Sequence, residues 1–184
     1  IHYSVEGRGP WVVMSHSLAC NLSMWDEQAA HLAGHFRVLR FDTRGHGGSD
    51  APAEPYTLNL LADDLHGLFA ELGIERPHFV GLSMGSYSSL QVGLNAADRA
   101  LSMTLAAVGA GSDLENLDAF RAQCRANAEQ YETIGSVEVA KATREAPSRI
   151  PFLLKDPRGH ADFYAALAQH DARGSANTMR SFQG

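Results

Sequence analysis

Short apolar runs alternate with stretches of helical period over the first 110 or so residues, and that alternation leaves few architectures open to the chain. Trp11-Val12-Val13-Met14 follows the turn signal Gly7-Arg8-Gly9-Pro10 and reads as a buried strand. Residues 21–33 read as a helix stopped by Gly34, and residues 36–41 as a second strand closed by Asp42. Thr57 is placed as an N-cap. Behind it Leu58, Leu61, Leu65, Leu68, Phe69 and Leu72 form one apolar stripe, and Gly73 suits the C-terminal cap. His78-Phe79-Val80 leads a third strand into Gly81, a helix is expected over 84–97, and residues 101–108 give a fourth strand. Strands joined through helices pair in parallel, because a parallel neighbour can be reached only by a crossover. The expected fold class is α/β, with a parallel sheet.

Beyond Gly109-Ala110-Gly111 the pattern changes to helical segments with no strand. One begins near Asp113 with Leu114, Leu117, Phe120 and Cys124 on one side; others cover 136–144, 159–170 and 174–182, punctuated by Lys155-Asp156-Pro157-Arg158-Gly159. The domain organisation expected is a sheet core over 1–111 and a helical lid over 112–184. Such a lid would lie across the carboxyl ends of the strands, where open α/β sheets bind their ligands.

A net charge of −6 with scattered Lys and Arg excludes nucleic acid as an expected partner. No apolar run approaches the roughly 20 residues of a membrane span, so no membrane association is expected, and no signal peptide is visible at the start. The chain begins at Ile1 rather than Met, which suggests that an upstream piece is absent. Cys20 and Cys124 match no metal-ligand spacing and read as reduced thiols of a cytoplasmic protein, a single disulfide being the lesser alternative.

Three segments carry candidate chemistry. Gly81-Leu82-Ser83-Met84-Gly85 fits G-x-S-x-G, a pattern informative only between a strand and a helix, which is its setting here. On such a strained turn Ser83 is a candidate catalytic nucleophile, with flanking glycines where side chains would strike backbone and a helix N-terminus beneath it. The plain alternative is a capping serine. Ser15-His16-Ser17-Leu18 follows the first strand. Acyl transfer needs two backbone N–H donors for the oxyanion, and Met84 and Leu18 are the candidates. The side chain of His16 is expected to be structural, bonded to nearby backbone. Asp42-Thr43-Arg44-Gly45-His46-Gly47-Gly48-Ser49 lacks the lysine of a P-loop and the order of a dinucleotide fingerprint, so it reads as a tight structural turn tied down by Asp42 and Arg44.

Taken together, Trp25, the D-x-R-G-x-G-x-S stretch over 42–49 and the G-x-S-x-G over 81–85 resemble the α/β-hydrolase superfamily. In detail the chain is similar to the branch containing 3-oxoadipate enol-lactonases and esterase-like hydrolases, and its tail over 155–183 is similar to the lid of such proteins. The resemblance implies a Ser-His-Asp triad, no cofactor, and a small-molecule ester, lactone or similar acyl substrate, with Tyr87, Phe120 and Phe163 as candidate substrate-binding residues. Tyr131, Phe152 and Tyr164 join them as possible lining, although most of these aromatics are expected to form the lid's own core.

The chain departs from the family pattern in two ways. His16-Ser17 stands where relatives often have His-Gly, and Ser86-Tyr87 where many have a second small residue. More consequentially, superfamily order places the acid and histidine after the lid, and the only histidines after Ser83 are His160 and His170, both in expected lid helices. Neither is expected to be the base, and Asp113 reads as a helix-start charge rather than the acid. The expectation is a chain truncated before its triad is complete, with little hydrolysis alone and a complementing C-terminal fragment or homo-oligomer as partner. Rival readings are perhydrolysis or carbon–carbon bond hydrolysis on the same triad, and a non-catalytic protein that captures a small ligand. Haloalkane chemistry would want a carboxylate in place of Ser83.

Overall fold

The computed structural model describes residues 1–109 and 111–182. Ala110 of the glycine-flanked turn and Gln183 at the end of the family-like tail lie outside the described residues. Five strands, β1 (Tyr3–Gly7), β2 (Trp11–Ser15), β3 (Arg37–Phe41), β4 (His78–Leu82) and β5 (Ser102–Ala106), form one sheet of order β1-β3-β2-β4-β5. β2, β3, β4 and β5 run parallel, as the strand–helix alternation requires.

The register shows why these residues make this sheet. Val5, Leu39, Val13, Phe79 and Met103 are opposite one another in turn, a single row crossing all five strands. Because side chains alternate faces along a strand, that row lies on one face. There it shares a core with Ala62, Leu65, Leu68 and Phe69 of α2 (Leu58–Leu72). Val12, Met14 and Val38 occupy the other face with Trp25 and with Ala29 of the adjoining α1 (Asp26–Leu32). Each such aliphatic side chain contributes roughly 1.5–3 kcal/mol by leaving water. The caps of α2 are those expected: the Thr57 hydroxyl accepts the Leu60 N–H at 3.2 Å, and Gly73 is left-handed at φ 64°.

Two expectations need correction. β1 was not foreseen, and it pairs antiparallel with β3, Tyr3 opposite Phe41. It is an edge strand covered on one side only, so its sequence carries no continuous apolar run. The single helix expected over 21–33 is instead a 3-10 turn, Leu22–Trp25, followed by α1.

After β5 only helices occur among the described residues. α4 (Leu117–Thr143) is two limbs joined at Gly135, whose φ of 75° breaks the helical path. α5 (Ile150–Lys155), α6 (Pro157–Leu167) and α7 (Ala172–Asn177) follow, ending in a π-helical turn, Thr178–Phe182. α5 lies where no helix was expected, and Asp156 caps α6 by accepting the Gly159 N–H at 2.8 Å. These helices have their own core, built on Ala128, Tyr131, Val139, Tyr164, Leu167 and Met179. They are anchored to the sheet domain at the loop before α2. Gly174 lies so close to Gly45 that a Cβ on it would stand 2.6 Å from the Gly45 Cα, and Asn177 donates to the carbonyls of Pro52, Ala53 and Glu54.

Candidate active site

β4 delivers Ser83 to the start of α3 (Met84–Asn95), and the turn between them is strained. Ser83 has φ 50° and ψ −112°, one of three non-glycine residues at positive φ among those described. Such a conformation costs about 1–3 kcal/mol and persists only where surroundings enforce it. Here the Ser83 N–H donates to the Ala106 carbonyl at 2.9 Å, the Ser86 hydroxyl donates to that same oxygen at 2.8 Å, and the Ser83 carbonyl accepts the Ser86 N–H at 2.9 Å. The flanking glycines are obligatory on steric grounds. A Cβ on Gly81 would meet the Gly85 carbonyl oxygen at 2.6 Å, and one on Gly85 would stand 2.5 Å from the Ser15 carbonyl carbon and 2.8 Å from the His16 oxygen. The elbow can therefore form only because α3 passes against the end of β2 with no side chain between them.

Ser83 opens onto a cavity of about 400 Å³ between the end of the sheet and the helical block. Leu18 lines the same cavity, and Ala19 beside it takes φ 61°. Met84, as the first residue of α3, has no intrahelical carbonyl for its N–H. Both expected backbone donors thus belong to segments bordering Ser83. The loop that carries Leu18 is held by His16, whose Nδ1 is 2.8 Å from the Ser17 carbonyl and whose Nε2 accepts the Thr43 N–H at 2.9 Å. That pattern requires the neutral Nδ1–H form, and burial lowers the pKa of His16 in the same sense. The ring is fully engaged with backbone, as expected of a structural histidine.

Of the candidate substrate-binding residues, Phe163 lies on the cavity wall, with Tyr131 and Tyr164 beside it. Tyr87 and Phe120 do not line it: the Tyr87 hydroxyl accepts the Gly109 N–H at 2.9 Å, and the Phe120 ring lies against Gly111. Tyr131 and Tyr164 also belong to the core of the helical block, so they serve packing and lining together. Burial pushes the Tyr131 phenol up to about 12. Arg149 on the wall was not foreseen, since an isolated arginine in Pro147-Ser148-Arg149 carries no pattern.

No histidine, aspartate or glutamate lines this cavity among the described residues. His160 is buried within the helical block with Nε2 3.0 Å from the Arg144 carbonyl. His170 packs on His46, ring centres 5.4 Å apart, and His46 in turn lies 5.2 Å from His16. Burial drives His46 well below the usual imidazole range and His170 to about 4. The 42–49 turn is structural, as expected. The buried Asp42 carboxylate accepts the N–H groups of Leu22 and Gly48 and pairs with His2, while Arg44 grips Asp64 through two bonds of 2.6 and 2.7 Å. Among the described residues no group of three His, Cys, Asp or Glu side chains is placed to hold a metal ion, and no helix is long and apolar enough to cross a membrane. Cys20 and Cys124 are unbridged thiols.

A mostly parallel sheet whose central strands lead into a serine elbow is the architecture of one family, and residues 10–150 match it: the chain belongs to the α/β-hydrolase fold family. Among curated relatives it is 33% identical to 3-oxoadipate enol-lactonase 1 of Acinetobacter baylyi over 172 residues, 94% of this chain and 62% of that protein. Among solved structures it superposes on the enol-lactonase from Burkholderia xenovorans LB400 with TM-score 0.81 and 34% identity, covering 98% of this chain and 68% of that one. A hydrolase from Pseudomonas aeruginosa gives TM-score 0.84 and 31% identity over 97% of this chain and 66% of that one. The chain thus spans about two thirds of the length of these relatives.

Proposed function

We propose that this chain carries the nucleophile, oxyanion hole and lid of a serine hydrolase acting on a carboxylic ester or lactone. The observation that carries the reading is the enforced backbone of Ser83, φ 50°, at the mouth of α3 and on the wall of the cavity. The Ser83 Oγ attacks the acyl carbon as its proton passes to a base, and the carbonyl electrons collect on an oxyanion that the N–H groups of Met84 and Leu18 stabilise. The positive end of α3 adds to that stabilisation. Collapse expels the alkoxide, which takes up the proton; in a lactone it stays tethered to the acyl group. Water then cleaves the acyl-enzyme. The helices α4 to α7 act as the lid, with Phe163, Tyr131 and Tyr164 bounding the acyl group. Among the described residues no histidine lines the cavity, so this reading assigns the base to none of them. The enol-lactonase names of the relatives support the lactone side of the reading. The unbridged thiols suit a reducing cytoplasmic compartment.

A small exogenous base that fits the cavity tests this directly. Hydrolysis of 4-nitrophenyl acetate by the chain is measured against imidazole concentration, with Ser83→Ala supplying the background. The expected result is a Ser83-dependent rate that rises with imidazole, with an acetyl adduct on Ser83 by mass spectrometry. Identical rates in the two proteins, with no adduct, would sink the proposal.

A further inference from the structure

Three buried histidines stack across the contact between the sheet domain and the helical block, and the chemistry proposed at Ser83 uses none of them. His16 follows β2, His46 lies in the 42–49 turn, and His170 sits in the joint between α6 and α7. His16 commits both ring nitrogens to backbone. The other two rings do not. His46 directs Nδ1 at the Arg44 carbonyl, 3.3 Å away, which places its hydrogen there. The His46 Nε2 and both ring nitrogens of His170 have no hydrogen-bond partner among the described residues. A proton added at any of these unpartnered atoms would be a buried charge with no acceptor, so the packed interface tolerates these rings only as neutral imidazoles.

The charged groups around the stack do not reverse this. Asp42 draws protons toward His16 and His170, but burial outweighs it at both. Its carboxylate already accepts the Leu22 and Gly48 N–H groups and pairs with His2. Charge on one ring also repels charge on the next. On the helical side Asp162 borders the same cavity of about 510 Å³ as His170, and Asp171 is turned to cap α7, accepting the Gly174 N–H at 2.7 Å. Arg44 is directed at Asp64, and Arg173 donates to the Ala51 carbonyl at 3.2 Å. Beyond His170 the α6–α7 arm rests on the sheet domain through the Gly174–Gly45 approach and the Asn177 bonds to the carbonyls over 52–54. The buried residues of the helical core belong to neither core of the sheet, so the arm can part from the sheet with both of those intact.

We propose that the His46–His170 contact is an acid-sensitive latch: mild acid releases the α6–α7 arm from the 42–49 turn while the sheet keeps its fold. Because α6 supplies Phe163, Tyr164 and Leu167 to the wall of the Ser83 cavity, release opens that cavity. The direction follows from where the proton can go. In the docked arm His170 stays neutral down to about 4, whereas an exposed imidazole protonates near 6.5. Docking is therefore intact above pH 6.5 and weakens as the pH falls toward 4. At pH 5 His170 alone favours the released arm about 30-fold, and His46 is shifted in the same sense. The bistable element is the arm, and the two rings bias it.

Amide hydrogen exchange of the chain, read by mass spectrometry at pH 8 and pH 5 and corrected for intrinsic rates, tests the latch. Amides of α6 and α7 should open at least about 30-fold more readily at pH 5. At both pH values they should be less protected than those of β2, β3 and β4, with a weaker dependence on urea, the mark of an opening smaller than global unfolding. His170→Phe keeps a ring on His46 without a site for the proton, and should cut the rise between pH 8 and pH 5 by about 30-fold. His170→Gln makes the same test with a smaller side chain should phenylalanine disturb the joint. Equal protection of arm and sheet, with one urea dependence, would mean that the arm opens only by global unfolding and would overturn the latch. A rise that is unchanged in both variants would overturn it too. Exchange reads no turnover, so the outcome stands apart from the acyl-hydrolase reading of Ser83.

Discussion

Replacing Gly85 by alanine adds one methyl group at the tightest point between α3 and the sheet. That carbon would lie 2.5 Å from the Ser15 carbonyl carbon and 2.8 Å from the His16 carbonyl oxygen. Carbon atoms rest about 3.5–4.0 Å apart, so α3 and β2 must separate by roughly 1 Å. Neither side yields cheaply: Ser15 ends a strand paired on both sides, and α3 is tied to β5 through the Ala106 carbonyl. Overpacking typically costs about 1–3 kcal/mol, and a backbone obstacle places this substitution at the upper end, about 3 kcal/mol. For a chain of this size each kcal/mol moves the melting temperature by about 2–4 °C, so Gly85→Ala should melt roughly 6–12 °C lower. Gly67→Ala is the matched control. Gly67 lies exposed within α2 with nothing within 4 Å of an added Cβ, so alanine there should stabilise by about 0.4–1 kcal/mol. Thermal and urea unfolding followed by far-ultraviolet circular dichroism reads both. If Gly85→Ala melts with the parent while Gly67→Ala rises as expected, the close passage of α3 against β2 is wrong.

Ser83→Gly removes the strain of φ 50° and should raise stability by about 1 kcal/mol, the relief of strain less the added entropy of glycine, while abolishing Ser83-dependent ester hydrolysis; a lower melting temperature would contradict the strained elbow. Thr57→Ala removes the hydroxyl that accepts the Leu60 N–H and should cost about 1 kcal/mol in urea unfolding, with Thr57→Ser close to the parent. His170, 5% exposed, is held neutral down to a pKa of about 4, whereas in the unfolded chain it protonates near 6.5. The unfolded state therefore binds more protons as pH falls from 6.5 to 4, so stability is intact above that window and declines through it, by about 3 kcal/mol for this residue. His16 and His46 are shifted the same way and add to the loss. Melting temperatures at pH 8 and pH 5 should differ less in His170→Gln than in the parent, and an equal drop in both would refute the assignment.

The helix over Leu58–Leu72 could be read residue by residue because every signal for it is local: an N-cap hydroxyl, a stripe at helical spacing and a glycine at φ 64°. The same holds for Gly81 to Gly85, where the backbone geometry is demanded by residues adjacent in sequence. β1 could not be read, because a one-sided edge strand has no pattern of its own and exists by pairing with β3 some 35 residues later. The helix over Leu117–Thr143 was placed only in part, because its limbs meet at a left-handed Gly135 that nothing nearby announces.

The cavity divides in the same way. Ser83, Met84 and Leu18 are named from motifs, since the turn and the backbone donors follow from residue order; Ser83 and Leu18 lie on the cavity wall, and Met84 opens α3. Phe163 was named for the wall together with Tyr87 and Phe120, which lie elsewhere, because aromatic residues serve a core and a pocket equally well in sequence. Sequence by itself determined the parallel sheet, the serine elbow and the caps, all set by hydrophobic period and backbone sterics over a few residues. Only the tertiary structure decided that Arg149, 66 positions beyond Ser83 in sequence, stands on the same cavity wall. That depends on how the helices fold back over the strand ends, a long-range packing outcome in which solvent exclusion, not local order, selects the neighbours.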